Sequence, residues 1–140
     1  MTEYISCSTE ETERIAEDLA KELKKGDFVA MYGDLGVGKT AFVRGLARVL
    51  APCASVKSPT YPVVNEYKGE KCKLFHFDVY RIEDDDDLYS IGFYDYLRKG
   101  ISVCEWSENI PWAIPDGAFT VTIERVAEDI NKRKITITKG

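Results

Sequence analysis

Positive charge is in short supply in this chain of 140 residues, where 19 lysines and arginines stand against 24 acids for a net charge of −5. That balance argues against a broad electrostatic grip on nucleic acid by the chain alone, so no DNA contact is expected. A basic patch on one face, or a basic partner, stays open. There is one histidine, and the four cysteines (Cys7, Cys53, Cys72, Cys104) form no C-x-x-C pair. Together they make a poor zinc site, and free thiols in a reducing cytoplasm are the expectation. No apolar run approaches the ~18–20 residues that cross a bilayer. The opening stretch, MTEYISCSTEETERIAEDLA, is acidic and lacks the apolar core of a secretory leader. No membrane partner is expected, and the location expected is cytoplasmic. Repeats, low-complexity tracts and linkers are missing as well, so the sequence predicts one domain spanning 1–140.

What is present is a phosphate loop. Residues 33–40 read GDLGVGKT, which fills every fixed position of G-x-x-x-x-G-K-[ST]. The apolar run 27–32 reads as a buried strand before it, and the stretch from Thr40 to about Leu50 as a helix after it. Strand, glycine loop, helix is the context this pattern needs. In such a loop, backbone N–H groups of Gly33, Asp34, Leu35, Gly36, Val37, Gly38, Lys39, Thr40 and Ala41 would surround the phosphates. The helix would add its positive N-terminal end. Lys39 would bridge the β- and γ-phosphates, and the Thr40 hydroxyl would reach Mg²⁺. A plain glycine turn would not need a lysine followed by a threonine at the helix start.

Phosphoryl chemistry also needs an acid for the metal and an oriented nucleophile. Two acids close strand-like runs, Asp78 after LFHF and Glu105 after ISVC, at the edge where ligands bind in open α/β sheets. One would serve Mg²⁺, directly or through water, and the other would orient the attacking water; the sequence does not assign them. Thr60, in Ser58-Pro59-Thr60, could reach the metal and the γ-phosphate as switch loops do, or belong to a simple Ser-Pro turn. Arg81 could neutralise developing charge or pair with the acids after it. His76 shares a strand face with Asp78 and reads as a structural hydrogen-bonding residue rather than a catalytic one. Trp106 is either core or a docking residue.

The remaining pattern is α/β. Ser8 to Glu11 fits a capping box for a helix that runs through Leu23 and stops at Gly26. Residues 61–67 and 71–78 predict a hairpin, and FTVTIE and RKITIT a terminal one. The acidic run 83–87 predicts the start of a helix that continues to Gly100. The expected fold is a P-loop type, three-layer architecture: a mixed sheet with a parallel core and antiparallel hairpins, and helices on both faces.

Neighbouring classes fit less well. A guanine-reading N-K-x-D is missing, since Asn131-Lys132-Arg133-Lys134 has lysine where the aspartate belongs, and no D-x-x-G follows the second strand. Adenine is therefore the default base. A small-molecule kinase is the main rival, yet no arginine-rich stretch resembles a closing lid. A nucleotide-sensing module with incidental hydrolysis is the other.

Taken in order, GDLGVGKT, VKSPTY (56–61), HFDVYR (76–81), IGFYDYL (91–97) and VCEW (103–106) resemble the TsaE family (formerly YjeE) over nearly the full length. That resemblance implies binding of ATP or ADP with Mg²⁺ and slow ATP hydrolysis. It also implies work with TsaB and TsaD in making threonylcarbamoyladenosine in tRNA, which this chain would meet only indirectly. By motif, Lys39 and Thr40 match the phosphate lysine and the metal hydroxyl. Thr60 matches the switch-like threonine, Asp78 the H-x-D-x-Y-R acid, and Glu105 the E-W acid near the metal, with Trp106 beside it. The segment 8–12 matches a region near adenine, which makes Thr9 a candidate there. A basic residue of the last hairpin, Lys132, is a candidate to close over the nucleotide. One departure is Ala41, where many members carry a second threonine.

Overall fold

At the centre of the sheet lies β2 (Phe28–Tyr32), paired in parallel on one side with β5 (Gly100–Glu105) and on the other with β6 (Phe119–Val126). A strand covered on both faces reads as a continuous apolar run, which is why residues 28–32 show no alternation. The computed structural model describes all residues except 34–37, 58 and 60–63. Beyond β5, β4 (Lys73–Asp78) is parallel and β3 (Val64–Tyr67) antiparallel. Beyond β6, β7 (Asp129–Lys139) and β1 (Thr2–Ser6) are antiparallel. Among the described residues the sheet has seven strands in the order β1-β7-β6-β2-β5-β4-β3. The parallel core with antiparallel edges is the expected architecture. The opening strand β1 was not anticipated, because its residues are mostly exposed and carry no clean period-two pattern.

One face of the sheet is covered by α1 (Thr9–Ala20) and α2 (Lys39–Leu50). Ala16, Leu19, Phe42, Val43 and Leu46 pack there on Val29, Met31, Ile101, Val103 and Val121. The two helices cross closely at Gly45, where a β-carbon would lie 2.6 Å from Ala16 Cβ and 2.2 Å from the Glu13 carbonyl oxygen. Around the crossing, the carboxylate of Glu13 receives both Arg44 and Arg48. Ser8 caps α1 as expected, accepting the Glu11 N–H at 3.1 Å. The Glu11 carboxylate reaches back one residue further than the usual box, to the Cys7 N–H at 3.0 Å. The helix itself ends at Ala20, and Leu23 and Gly26 follow in turns.

The opposite face carries short elements and aromatic side chains. The single helix expected up to Gly100 is two: α3 (Asp85–Ser90), capped by Asp84, and α4 (Phe93–Tyr96). Gly92, at φ 74°, breaks the path between them in a conformation that favours glycine. Gly100 is the first residue of β5 rather than a helix cap. A β-carbon there would meet the Lys73 carbonyl oxygen at 2.2 Å, so close strand approach is what requires glycine. Phe28, Phe75, Phe77, Leu88 and Phe93 fill this layer. Helices therefore lie on both faces, as expected.

Candidate functional site

The site is built at the carboxyl edge of the parallel strands, on the α1–α2 face. Gly33 follows β2 at φ 139°, and Gly38 precedes α2 at φ 108° with no side chain capping the helix. Both glycines stand where a left-handed backbone is required, and an uncapped helix N-terminus favours an anion. Lys39 opens α2 and is buried. Its ammonium donates to the Gly33 carbonyl at 2.7 Å and lies 3.5 Å from the centroid of the Trp106 ring. Thr40 is half-buried beside it. Asp34, Leu35, Gly36 and Val37 lie outside the described residues, as do Ser58 and Thr60.

Asp78 and Glu105 end β4 and β5 and face one another in register. Parallel neighbours in register share a face, so both acids stand on the side of Lys39. Asp78 is half-buried and accepts the Tyr80 N–H at 3.0 Å. Burial pushes its carboxyl above the ordinary aspartate range. The Tyr80 N–H opposes that shift, the neighbouring Glu105 adds to it, and His76 and Lys39 oppose it. Glu105 is 4% exposed, and its Oε2 lies 2.5 Å from Nε2 of the fully buried His76. The hydrogen bond expected of His76 is thus made to a residue that was itself a site candidate. The parity of the two strands carried that signal, because positions 76 and 78 share a face with 103 and 105.

Trp106 takes a left-handed backbone, φ 65°, which turns the chain from β5 into a short 3₁₀ turn (Ser107–Asn109). Its ring packs against Tyr80 at 4.8 Å between centroids and against Lys39. It is therefore part of the site wall. Asn109 donates to the carbonyls of Val79, at 3.2 Å, and Tyr80, at 2.9 Å, and so clips the two strand-end segments together. Arg81 is exposed and, among the described residues, makes no ion pair with the acids at 83–87. Burial pushes the Cys104 thiol up to about 12, which leaves it inert next to the acids.

A cleft of about 400 Å³ opens beside the start of α2. The α1 entry lines it with Cys7, Ser8, Thr9, Glu10 and Thr12, α2 with Gly38 and Ala41, and the last hairpin with Ile130, Asn131 and Arg133. Thr9 thus borders a space next to the phosphate loop. Lys132 does not line it. The pairing of β6 with β7 slips between Arg125 and Val126, so residues 129–133 follow no simple alternation. Arg133, which the sequence pattern did not single out, is the basic residue among those lining the cleft.

A magnesium ion fits this donor set. Among the described residues no three acids, histidines or cysteines converge as a preformed cage. A hydroxyl and one or two carboxylates, with phosphate and water completing the shell, is the usual magnesium arrangement. Two adjacent carboxylates, one with its pKa raised, also gain from a cation.

Residues 6–135 match the family model "Threonylcarbamoyl adenosine biosynthesis protein TsaE". The tRNA threonylcarbamoyladenosine biosynthesis protein TsaE of Aquifex aeolicus is 39% identical over 140 residues, covering 98% of this chain and 96% of its own length. The protein of the same name from Bacillus subtilis (strain 168) is 37% identical over 130 residues, covering 92% of this chain and 80% of its own. The crystal structure of Bacillus subtilis YdiB superposes with a TM-score of 0.77 at 30% identity, covering 99% of this chain and 84% of that one.

Proposed function

Since the chain belongs to the TsaE family, we propose that it binds ATP with Mg²⁺, hydrolyses it slowly, and works with TsaB and TsaD in the threonylcarbamoyladenosine modification of tRNA. Its ATP cycle would reset or activate that assembly in the cytoplasm, without direct dependence on tRNA contact. One observation carries the reading: a buried phosphate-loop lysine lies at the sheet edge where two strand-end acids stand in register.

In this reading Lys39 leaves the Gly33 carbonyl to hold the β- and γ-phosphates, as charge-assisted contacts are the stronger ones. The N-terminus of α2 receives the phosphate charge. Thr40 and one of the two acids would hold Mg²⁺, which when bound neutralises charge on the phosphoryl oxygens. Of Asp78 and Glu105, one would hold Mg²⁺, directly or through water, and the other would accept a hydrogen bond from the attacking water; Glu105 is the one that His76 fixes. Thr60 would sense the γ-phosphate. The cleft between α1 and the last hairpin takes the adenosine, with Thr9 on one wall and Arg133 on the other.

The test is ATP turnover with Mg²⁺, first with the chain alone and then with TsaB and TsaD. Slow release of phosphate that rises with both partners is expected. Turnover indifferent to the partners, and stimulated instead by a small metabolite, would replace this reading with a kinase.

A further inference from the structure

Glu105 is the end of a buried line of hydrogen bonds that runs away from the phosphate loop. His76 Nδ1 lies 3.0 Å from the Tyr67 hydroxyl, on the far side of the ring from Glu105. The Tyr67 hydroxyl in turn lies 3.3 Å from the Lys57 amide nitrogen and 3.1 Å from the Lys57 carbonyl oxygen. That carbonyl also accepts the Asn65 amide at 2.9 Å. His76 is fully buried and Tyr67 is 7% exposed. In sequence, Lys57 immediately precedes Ser58-Pro59-Thr60.

Donor counting constrains the line. A carboxylate only accepts, so His76 Nε2 is the atom that carries a proton toward Glu105. The Tyr67 oxygen accepts the Lys57 N–H, and its hydroxyl is within reach of both the Lys57 carbonyl and His76 Nδ1. The Lys57 carbonyl also receives Asn65. Each member of the line has a partner. Asp78, one strand away, is held differently, by the backbone N–H of Tyr80.

We propose that His76 and Tyr67 are positioning residues that fix the Glu105 carboxylate and tie it to the backbone at Lys57. A glutamate has three side-chain torsions, and a carboxylate serving a reaction must be held within about 0.5 Å of its productive place by groups that are themselves locked. A buried imidazole bonded at both nitrogens is such a group. The inference rests on the reading of Glu105 as a site acid, and the experiment separates the two.

Turnover of Mg²⁺-ATP is measured with TsaB and TsaD present for Tyr67→Phe, His76→Gln, His76→Leu and Glu105→Ala, together with thermal melting of each variant. Tyr67→Phe keeps the ring and removes only the hydroxyl. Its kcat is expected to fall at least fivefold, with KM for ATP within twofold and a cooperative melt retained. His76→Gln, which keeps an N–H donor toward Glu105, is expected to exceed His76→Leu severalfold in kcat. If Tyr67→Phe does not fold, the Gln-to-Leu comparison decides. Tyr67→Phe within twofold of the parent, or Gln and Leu equal, with Glu105→Ala impaired, overturns the positioning role alone. Glu105→Ala turning over like the parent removes the acid's assignment and the inference with it.

Discussion

The two faces of the sheet solve the same packing problem in different ways. On the α1–α2 side, two helices of 12 residues each cross at Gly45 and Ala16 over aliphatic strands, and the buried polar groups His76, Glu105 and Lys39 gather at one edge. On the other side the helices have six and four residues, and the filling is aromatic, with Phe77 and Phe93 in edge-on contact at 5.0 Å. The first face holds a lysine at the exact start of a helix and two acids at strand ends, so small shifts there move chemistry. The second carries bulk, which large rings supply with little help from helix length. The comparison teaches that stability and site geometry are separable in this fold, and four substitutions probe how far.

The largest effect is expected from Phe93→Ala. Emptying a fully buried ring site costs about 3–5 kcal/mol. Chemical denaturation should show that loss, while calorimetry on the folded variant should show ADP affinity close to the parent's. A large loss of affinity would mean the aromatic layer also sets the site. Gly45→Ala comes next. The added methyl meets the backbone of Glu13 and the side chain of Ala16, so α2 must move away, at a cost of about 2–3 kcal/mol. Here affinity for ADP should fall together with stability, because α2 carries Lys39 and Thr40. Stability lost with affinity intact would break the comparison from the other side.

Asp78→Asn should lower Mg²⁺-dependent turnover about tenfold, the scale of one lost charge-assisted contact, yet it should stabilise the metal-free chain. The Asp78 carboxyl titrates above its ordinary range when folded, so the folded chain binds that proton more tightly than the unfolded one. Stability contributed by the group is therefore greatest at low pH and is lost as pH rises from the unfolded value through the raised folded one. The variant should lead at neutral pH by a small margin, since solvent screens a half-buried carboxyl, and the lead should vanish as the medium is acidified through that window. Melting curves across pH with a chelator present would check this. The smallest effect belongs to Ser102→Ala. Ser102 is buried among the aromatic side's rings and its hydroxyl has no hydrogen-bond partner among the described residues. Its removal should leave the melting temperature unchanged or slightly higher, within about 1 kcal/mol. A larger loss would reveal a partner for that oxygen.

Much of this could be read from local pattern. The phosphate loop's flanking strand and helix, the acids closing β4 and β5, both hairpins and the capping role of Ser8 are all encoded within a few residues of one another. What escaped depends on pairing across the chain. β1 is defined by its partner β7, since TEYI is exposed and has little pattern of its own. The break at Gly92 needed knowledge of the layer it turns over. Gly100 suggested a helix stop, yet its lack of a side chain serves the Lys73 carbonyl on the next strand. Arg133 rather than Lys132 lines the cleft beside an irregular stretch of the β6–β7 pairing, and the tie between His76 and Glu105 follows from the β4–β5 register.

The contact between Lys39 and Trp106 has an optical consequence. An ammonium 3.5 Å from the centre of an indole imposes a strong local field on its excited state. Any anion that draws Lys39 off that ring changes the field at once. The chain has a second tryptophan, Trp112, half exposed and bonded to Asp85 at 2.9 Å on the opposite side of the sheet. With Trp112 replaced by phenylalanine, the emission of a single tryptophan, excited selectively over the tyrosines, would follow the occupancy of the phosphate loop in real time, without a label.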